Sequence, residues 1–141
     1  MATLKEHLLE SIKSTAEIFM IIKPGFLSQS QQILEMLQKE GWEVKHSRVK
    51  RLLLSEAKRL YSIHKGQDFY KDLCEYMSSD ISCAYILVNK SKKMSEQMFE
   101  EFSQIKQTIR EKFGESEMRN VIHSSDSIEN MYKEKSVYFA L

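Results

Sequence analysis

Ile81 to Val88 is a nearly continuous apolar run of strand length. A strand without a polar face is covered on both faces, so this run reads as the central strand of a sheet with other structure packed above and below it. The rest of the chain must supply that cover. Glu17 to Ile22 reads as a second strand, stopped by Lys23-Pro24-Gly25, where proline and glycine end pairing and begin a turn. Ser28 or Ser30 can cap a helix through Glu40 whose buried face is Ile33, Leu34 and Leu37, with Gly41 marking its end. Trp42 to Leu54 then carries a long strand, and its Lys45, His46, Arg48, Lys50 and Arg51 alternate with Val44 and Val49 as a wet sheet face does. Ser55 opens a helix through Leu60 and Tyr61, Lys65-Gly66 breaks it, and Asp68 begins another in which Phe69 with Leu73 and Tyr70 with Cys74 are i, i+4 pairs. Met94, Met98, Phe99, Phe102, Ile105, Ile109 and Phe113 recur at spacings of three and four, which predicts one helix from Ser95 to Gly114. Helices alternate with strands throughout, an α+β pattern.

With 141 residues the chain suits one domain with a substantial core, since domains run to ~100–150 residues. Lys and Arg number 21 against 20 Asp and Glu, so net charge gives no case for nucleic acid or an anionic membrane as a partner. Cys74 and Cys83 lack metal-ligand spacing and read as reduced core thiols. Lys5, Glu6, His7 and Glu10 interrupt any secretory h-region, and no uninterrupted apolar segment approaches the ~18 residues of a membrane span, so a cytoplasmic location is expected. Leu4, Leu8, Leu9 and Ile12 mark one face of a helical extension over residues 1–15, ahead of a domain spanning 16–141.

Chemistry is expected at Arg119-Asn120-Val121-Ile122-His123-Ser124-Ser125-Asp126-Ser127. Asp126 followed by Glu129 has capping-box spacing, and Ile128, Met131 and Tyr132 form an apolar stripe behind it. His123 therefore stands just outside a helix N-terminus, where free N–H groups and the dipole favour a neutral imidazole and welcome an anion such as phosphate. A neutral imidazole is a nucleophile. Past that helix, Ser136 to Phe139 reads as a last strand or extended tail.

Asn120-Val121-Ile122-His123-Ser124-Ser125-Asp126-Ser127 resembles the active-site signature of nucleoside diphosphate kinases, Asn-x-x-His-Gly/Ala-Ser-Asp-Ser. The likeness extends to Ile21-Ile22-Lys23-Pro24, Tyr61 to Leu73, Thr108-Ile109-Arg110 and Glu134, in the family's order. It implies a ferredoxin-like core, a four-stranded antiparallel sheet with helices packed on it. It also implies a γ-phosphate transfer from nucleoside triphosphate to nucleoside diphosphate through a phosphohistidine, in ping-pong fashion. By residue, the resemblance makes His123 the nucleophile and Glu134 its orienting carboxylate, with Ser125 in the same shell and hydrogen-bonding Glu134. Lys23 and Asn120 would hold the ribose hydroxyls, Lys23 also reaching the phosphates, and Arg110 and Tyr61 would hold the phosphates. Phe69, with Leu73 beside it, would stack on the base, so base choice should be loose. Magnesium would arrive bridging the phosphates, with no protein metal ligands. The family's habit implies a homo-oligomer, a hexamer in preference to a dimer.

Beyond Ser124, which stands at the Gly/Ala position of the signature, the chain departs from the family in three places. Gly25 replaces an aspartate after the Lys-Pro motif, Asp68 replaces a proline before Phe69, and the Pro- and Gly-containing loop before Thr108-Ile109-Arg110 is shortened and rebuilt as helix. The last change removes an arginine and a threonine from the phosphate clamp, leaving Gln97 where the arginine would fall and Lys92 or Lys93 as substitutes. Two other classes compete: a catalytically weakened nucleotide-binding or scaffold protein of the same fold, and a nucleic-acid-binding ferredoxin-like module using the basic strand.

Overall fold

The computed structural model describes Thr3 and residues 14–140. The expected N-terminal helix on Leu4, Leu8, Leu9 and Ile12 lies outside the described residues. In chain order come β1 (Thr15–Ile22), a 3-10 turn (Leu27–Gln29), α1 (Ser30–Lys39), β2 (Glu43–Lys50), α2 (Leu54–Leu60), a second 3-10 turn (Ser62–His64), α3 (Tyr70–Ser78), β3 (Ser82–Lys93), α4 (Glu96–Phe113), β4 (Ile122–Ser124) and α5 (Ile128–Lys135). The strands form one sheet in the order β2-β3-β1-β4, every neighbouring pair antiparallel. This is the α+β, ferredoxin-like arrangement, with helices packed on a four-stranded antiparallel sheet.

β1 and β3 are the two inner strands, which explains their composition. From Ile18 to Ile22, β1 has no exposed residue, and Cys83 to Leu87 of β3 are likewise buried. β3 starts one residue later than the apolar run and continues past it. Ile81 stays outside the strand and is exposed, while Asn89 continues it because its buried amide donates to the Glu40 carbonyl (3.0 Å) and accepts from Ser91. α4 matches its expected span, with the Ser95 hydroxyl accepting from the Met98 N–H (3.1 Å) and Gly114 closing the end. Burial of Met98, Phe99, Phe102 and Ile109 fixes its inward face.

Several boundaries differ from expectation. β2 ends at Lys50, short of Leu54, and α2 begins at Leu54 because Glu56 reaches back to the Leu53 N–H (2.9 Å). α3 begins at Tyr70, with Phe69 at its cap. Neither Ser28 nor Ser30 caps α1, since the Ser30 hydroxyl donates to the Leu27 carbonyl (2.6 Å). The capping box at Asp126 and Glu129 is replaced by a cap one residue on, where Ser127 accepts from the Asn130 N–H (3.1 Å). Asp126 instead accepts from the Asn130 side chain, and Tyr132 is exposed beneath the Lys135 ammonium, not buried with Met131. Ser136 to Tyr138 form a turn, not a strand, closed by Val137 N–H to the Glu134 carbonyl (3.1 Å).

β2 is an edge strand open on both faces, but its cations are engaged within the chain. Lys45 lies 3.6 Å from Glu17, Lys50 pairs with Glu56, Arg48 donates to the Tyr138 carbonyl and Arg51 to that of Ser78. The basic ribbon therefore offers little uncommitted charge to a polyanion. Cys74 and Cys83 are both free and buried. Among the described residues no helix is long and apolar enough to cross a membrane.

Candidate active site

The site lies where β1 ends and β4 begins. The Lys23 N–H donates to the Val121 carbonyl (2.8 Å), and Ile21 faces His123 across the β1–β4 ladder. Between Asn120 and Ile122 the chain makes a γ-turn, with Ile122 N–H donating to the Asn120 carbonyl (3.0 Å) and Val121 at φ +80°. A β-branched residue with positive φ is strained by roughly 1–3 kcal/mol. Val121 is wholly buried, and the packing around it holds the strain in place two residues from His123.

The His123 Nε2 edge is hydrogen-bonded to the Glu134 carboxylate. A carboxylate accepts, so the neutral ring keeps its proton on Nε2 and leaves the Nδ1 lone pair for chemistry. Burial lowers the His123 pKa; Glu134 opposes this, while Lys23 and Lys106 add to it. The ring is therefore neutral at neutral pH. Tyr61 lies edge-on to it, ring centroids 5.2 Å apart.

A cavity of about 410 Å³ opens beside that ring, lined by Lys23, Tyr61, Phe69, Leu73, Arg110, Asn120 and His123 among others. Lys23 is only 4% exposed, and its ammonium donates to the Asn120 side-chain oxygen (2.7 Å) and the Met118 carbonyl (3.3 Å). Burial, with Arg110 and Lys106 nearby, brings its pKa down to about 7. Arg110 is not a solvated helix arginine: it is half-buried and donates through Nη2 to the Ile122 carbonyl (2.8 Å). Thr108 of the same tripeptide is exposed and bonds the Gln104 carbonyl of its own helix. Phe69 stands exposed at the start of α3, with Leu73 one turn on.

Ser125 is buried near His123, but its hydroxyl does not reach Glu134. Its N–H donates to the Phe19 carbonyl (3.1 Å), which fixes the backbone while the side chain finds no partner. Tyr61 Oη and Arg110 Nε are likewise buried without a hydrogen-bond partner. An unmet buried polar group costs about 1–3 kcal/mol. Tyr61 and Arg110 both line the cavity, so their unmet atoms belong to residues bordering its open space.

Lys92 and Lys93 do not reach this site. They end β3 beside Thr15, eight residues back along β1 from Lys23, or roughly 25 Å at ~3.3 Å per residue. Lys92 pairs with Glu101, and Gln97 is exposed and bonds Glu101. Gly25 has φ +91°, and a Cβ there would meet the Arg119 guanidinium at 2.6 Å. The glycine thus admits Arg119, which lies over the Phe26 and Tyr76 rings and clamps the loop leading to Asn120. His64, Glu117 and Met118 also line the cavity and went unread in the sequence. His64 bridges Tyr61 and Phe69 by ring contacts, a link that only the fold of the 3-10 turn creates.

The family model described as nucleoside diphosphate kinase matches residues 16–141. A nucleoside diphosphate kinase from Helicobacter pylori (strain P12) is 33% identical over 127 residues, covering 85% of this chain and 92% of that protein. One from Ignicoccus hospitalis is 29% identical over 127 residues, covering 86% of each. The crystal structure of the Aquifex aeolicus nucleoside diphosphate kinase superposes with a TM-score of 0.75 at 24% identity, over 90% of this chain and 96% of that one. The Encephalitozoon cuniculi enzyme gives 0.76 at 23% identity, over 89% of each, and both structures share the fold. A family match over residues 16–141, joined to a half-buried histidine held by a carboxylate at the mouth of a cationic cavity, places this chain in the nucleoside diphosphate kinase family.

Proposed function

We propose that the protein moves the γ-phosphate of a nucleoside triphosphate to a nucleoside diphosphate through a phosphohistidine at His123. The observation that carries this is the His123–Glu134 pair, which engages Nε2 and leaves Nδ1 available on a ring that lines the same cavity as Lys23, Arg110 and Tyr61. Nδ1 attacks the γ-phosphorus, the N–P bond forms, and the bond to the β,γ-bridging oxygen breaks as nucleoside diphosphate leaves. A second diphosphate attacks the phosphohistidine by the same path in reverse. Glu134 holds the ring and offsets the positive charge that grows on it. Arg110 and Tyr61 face the phosphates, Lys23 and Asn120 the ribose hydroxyls and phosphates, and Ser125 offers the site one further hydroxyl.

Phe69 and Leu73 would take the base. Stacking reads a π-face that all bases possess, so efficiencies across bases should agree within about tenfold. The cavity is rich in cations, and among the described residues no group of three His, Cys, Asp or Glu could hold a metal ion. Lys23 and Arg110 suit a nucleotide that would bring its own magnesium, which would supply charge neutralisation when bound. The open edge of β2, with Val44 and Val49 exposed, supports self-association, with a hexamer as the expected assembly and light scattering as its measure. Two buried free thiols support a reducing, cytoplasmic compartment.

Incubation with γ-labelled nucleoside triphosphate tests the reading. The parent should acquire acid-labile label and pass it to added diphosphate, and His123→Ala should do neither. Label retained in His123→Ala would overturn the assignment.

A further inference from the structure

The inward face of α4 carries a cation that the family signature does not include. Phe102, Lys106 and Arg110 follow one another at four-residue spacing, so their side chains stand in one row along the helix. Phe102 is buried, and Arg110 reaches the β4 backbone at Ile122 beside His123. Lys106, between them, is half-buried yet makes no ion pair or hydrogen bond with any described residue. By contrast Lys92, partly covered at the end of β3, has its carboxylate in Glu101.

From this row we propose that Lys106 is a third cation of the phosphate cradle, acting with Lys23 and Arg110 on the terminal phosphates. The inference rests on the reading of His123 as the phosphate acceptor. The electrostatics agree with the geometry. Burial and Arg110 lower the Lys106 pKa, while Asp126 and Glu134 hold it up. Lys106 in turn depresses both Lys23 and His123. Three cations thus crowd a region with too little carboxylate to balance them, and a polyphosphate supplies the missing negative charge. This also accounts for the rebuilt stretch before Arg110. Running the helix unbroken from Ser95 to Gly114 loses the loop and its clamp residues but brings a lysine one turn from Arg110, about 6 Å along the axis. Lysine gives a point charge without a planar fork, so the replacement should be partial.

The test uses Lys106→Met, which keeps an apolar stem over Phe102, and Lys106→Arg, which keeps the charge. Binding of magnesium–ATP and of adenosine is measured by calorimetry at low and high salt. Lys106→Met should weaken magnesium–ATP by about ten- to hundredfold, with a shallower salt dependence, and leave adenosine within about twofold. Lys106→Arg should recover most of the affinity. Magnesium–ATP affinity equal to the parent's in Lys106→Met would overturn the proposal, as would equal losses for magnesium–ATP and adenosine. Labelling of the parent and of His123→Ala, run alongside, reports on the acceptor separately: label on the parent but not on His123→Ala leaves that reading standing whatever Lys106 does.

Discussion

Lys23 makes nucleotide binding a proton-uptake reaction. Its ammonium is buried next to Arg110 and Lys106, and its pKa falls to about 7. At about pH 8 only ~10% of a group with that pKa carries its proton. A bound polyphosphate neutralises the neighbouring cations and returns the ammonium toward its ordinary range, so the group becomes nearly fully charged. Uptake should then approach ~0.9 proton per site at about pH 8. The free protein binds fewer protons than the complex between about pH 7 and the ordinary lysine range, so affinity falls as pH rises through that window, by up to about tenfold per pH unit. The same depression acts on folding: the cost of burying Lys23 is full below about pH 7 and fades as pH rises toward the unfolded lysine value. Calorimetry in buffers of different ionisation enthalpy measures the uptake, and Lys23→Arg, which stays charged throughout, should remove the Lys23 share. Uptake below ~0.2 in the parent, or unchanged in Lys23→Arg, would refute the argument.

Three shorter predictions concern the residues around His123. Glu134→Ala removes a charge-assisted hydrogen bond contributing on the order of 1.5–3 kcal/mol, so the rate of histidine labelling at saturating nucleotide should fall about ten- to hundredfold. Because burial lowers the His123 pKa, the acid limb of the pH–rate profile should lie below the ~6.5 of a free imidazole; an acid limb above that value would contradict the environment described. At Val121 the usual cost of glycine relative to alanine should invert, since Val121→Ala loses packing and keeps the strain while Val121→Gly loses packing and relieves it. Denaturant titrations of the two variants decide the matter, and a less stable glycine variant would count against a strained turn.

Periodicity made most of the fold legible, because α4 and β3 bury whole faces and their residues repeat accordingly. Ends were less legible. A cap depends on one hydrogen bond, and Asp126 and Ser127 are equally good acceptors by composition, yet Ser127 takes the Asn130 N–H while Asp126 takes the Asn130 side chain. Lys23, Tyr61, Phe69, Leu73, Arg110, Asn120 and His123 could be named in advance because a signature ties them together, and one cavity collects all seven. Glu134 was legible in the same way and meets His123. Ser125 was named too, but its hydroxyl makes no hydrogen bond to Glu134 while its N–H donates to the Phe19 carbonyl. Lys92 and Lys93 were misplaced for a different reason. Sequence distance from Arg110 says nothing about which end of a long strand a residue occupies, and β3 carries both lysines to the far end of the sheet. Lys106 had a readable signal, four residues before Arg110, which becomes informative only once the intervening stretch is known to be helix.

The unbroken α4 alters how this part of the chain can tolerate insertions and deletions. A flexible loop absorbs a change of length by bulging, so its anchored ends keep their places. α4 has no such slack: one residue inserted between Phe102 and Lys106 turns everything beyond it by about 100°, swinging Lys106 and Arg110 away from His123 or else forcing Phe102 out of the core. An insertion of four residues overshoots a full turn by only about 40° and lengthens the helix by about 6 Å. Length changes on this segment should therefore be quantised, tolerated in steps of three or four and lethal to the site in steps of one or two.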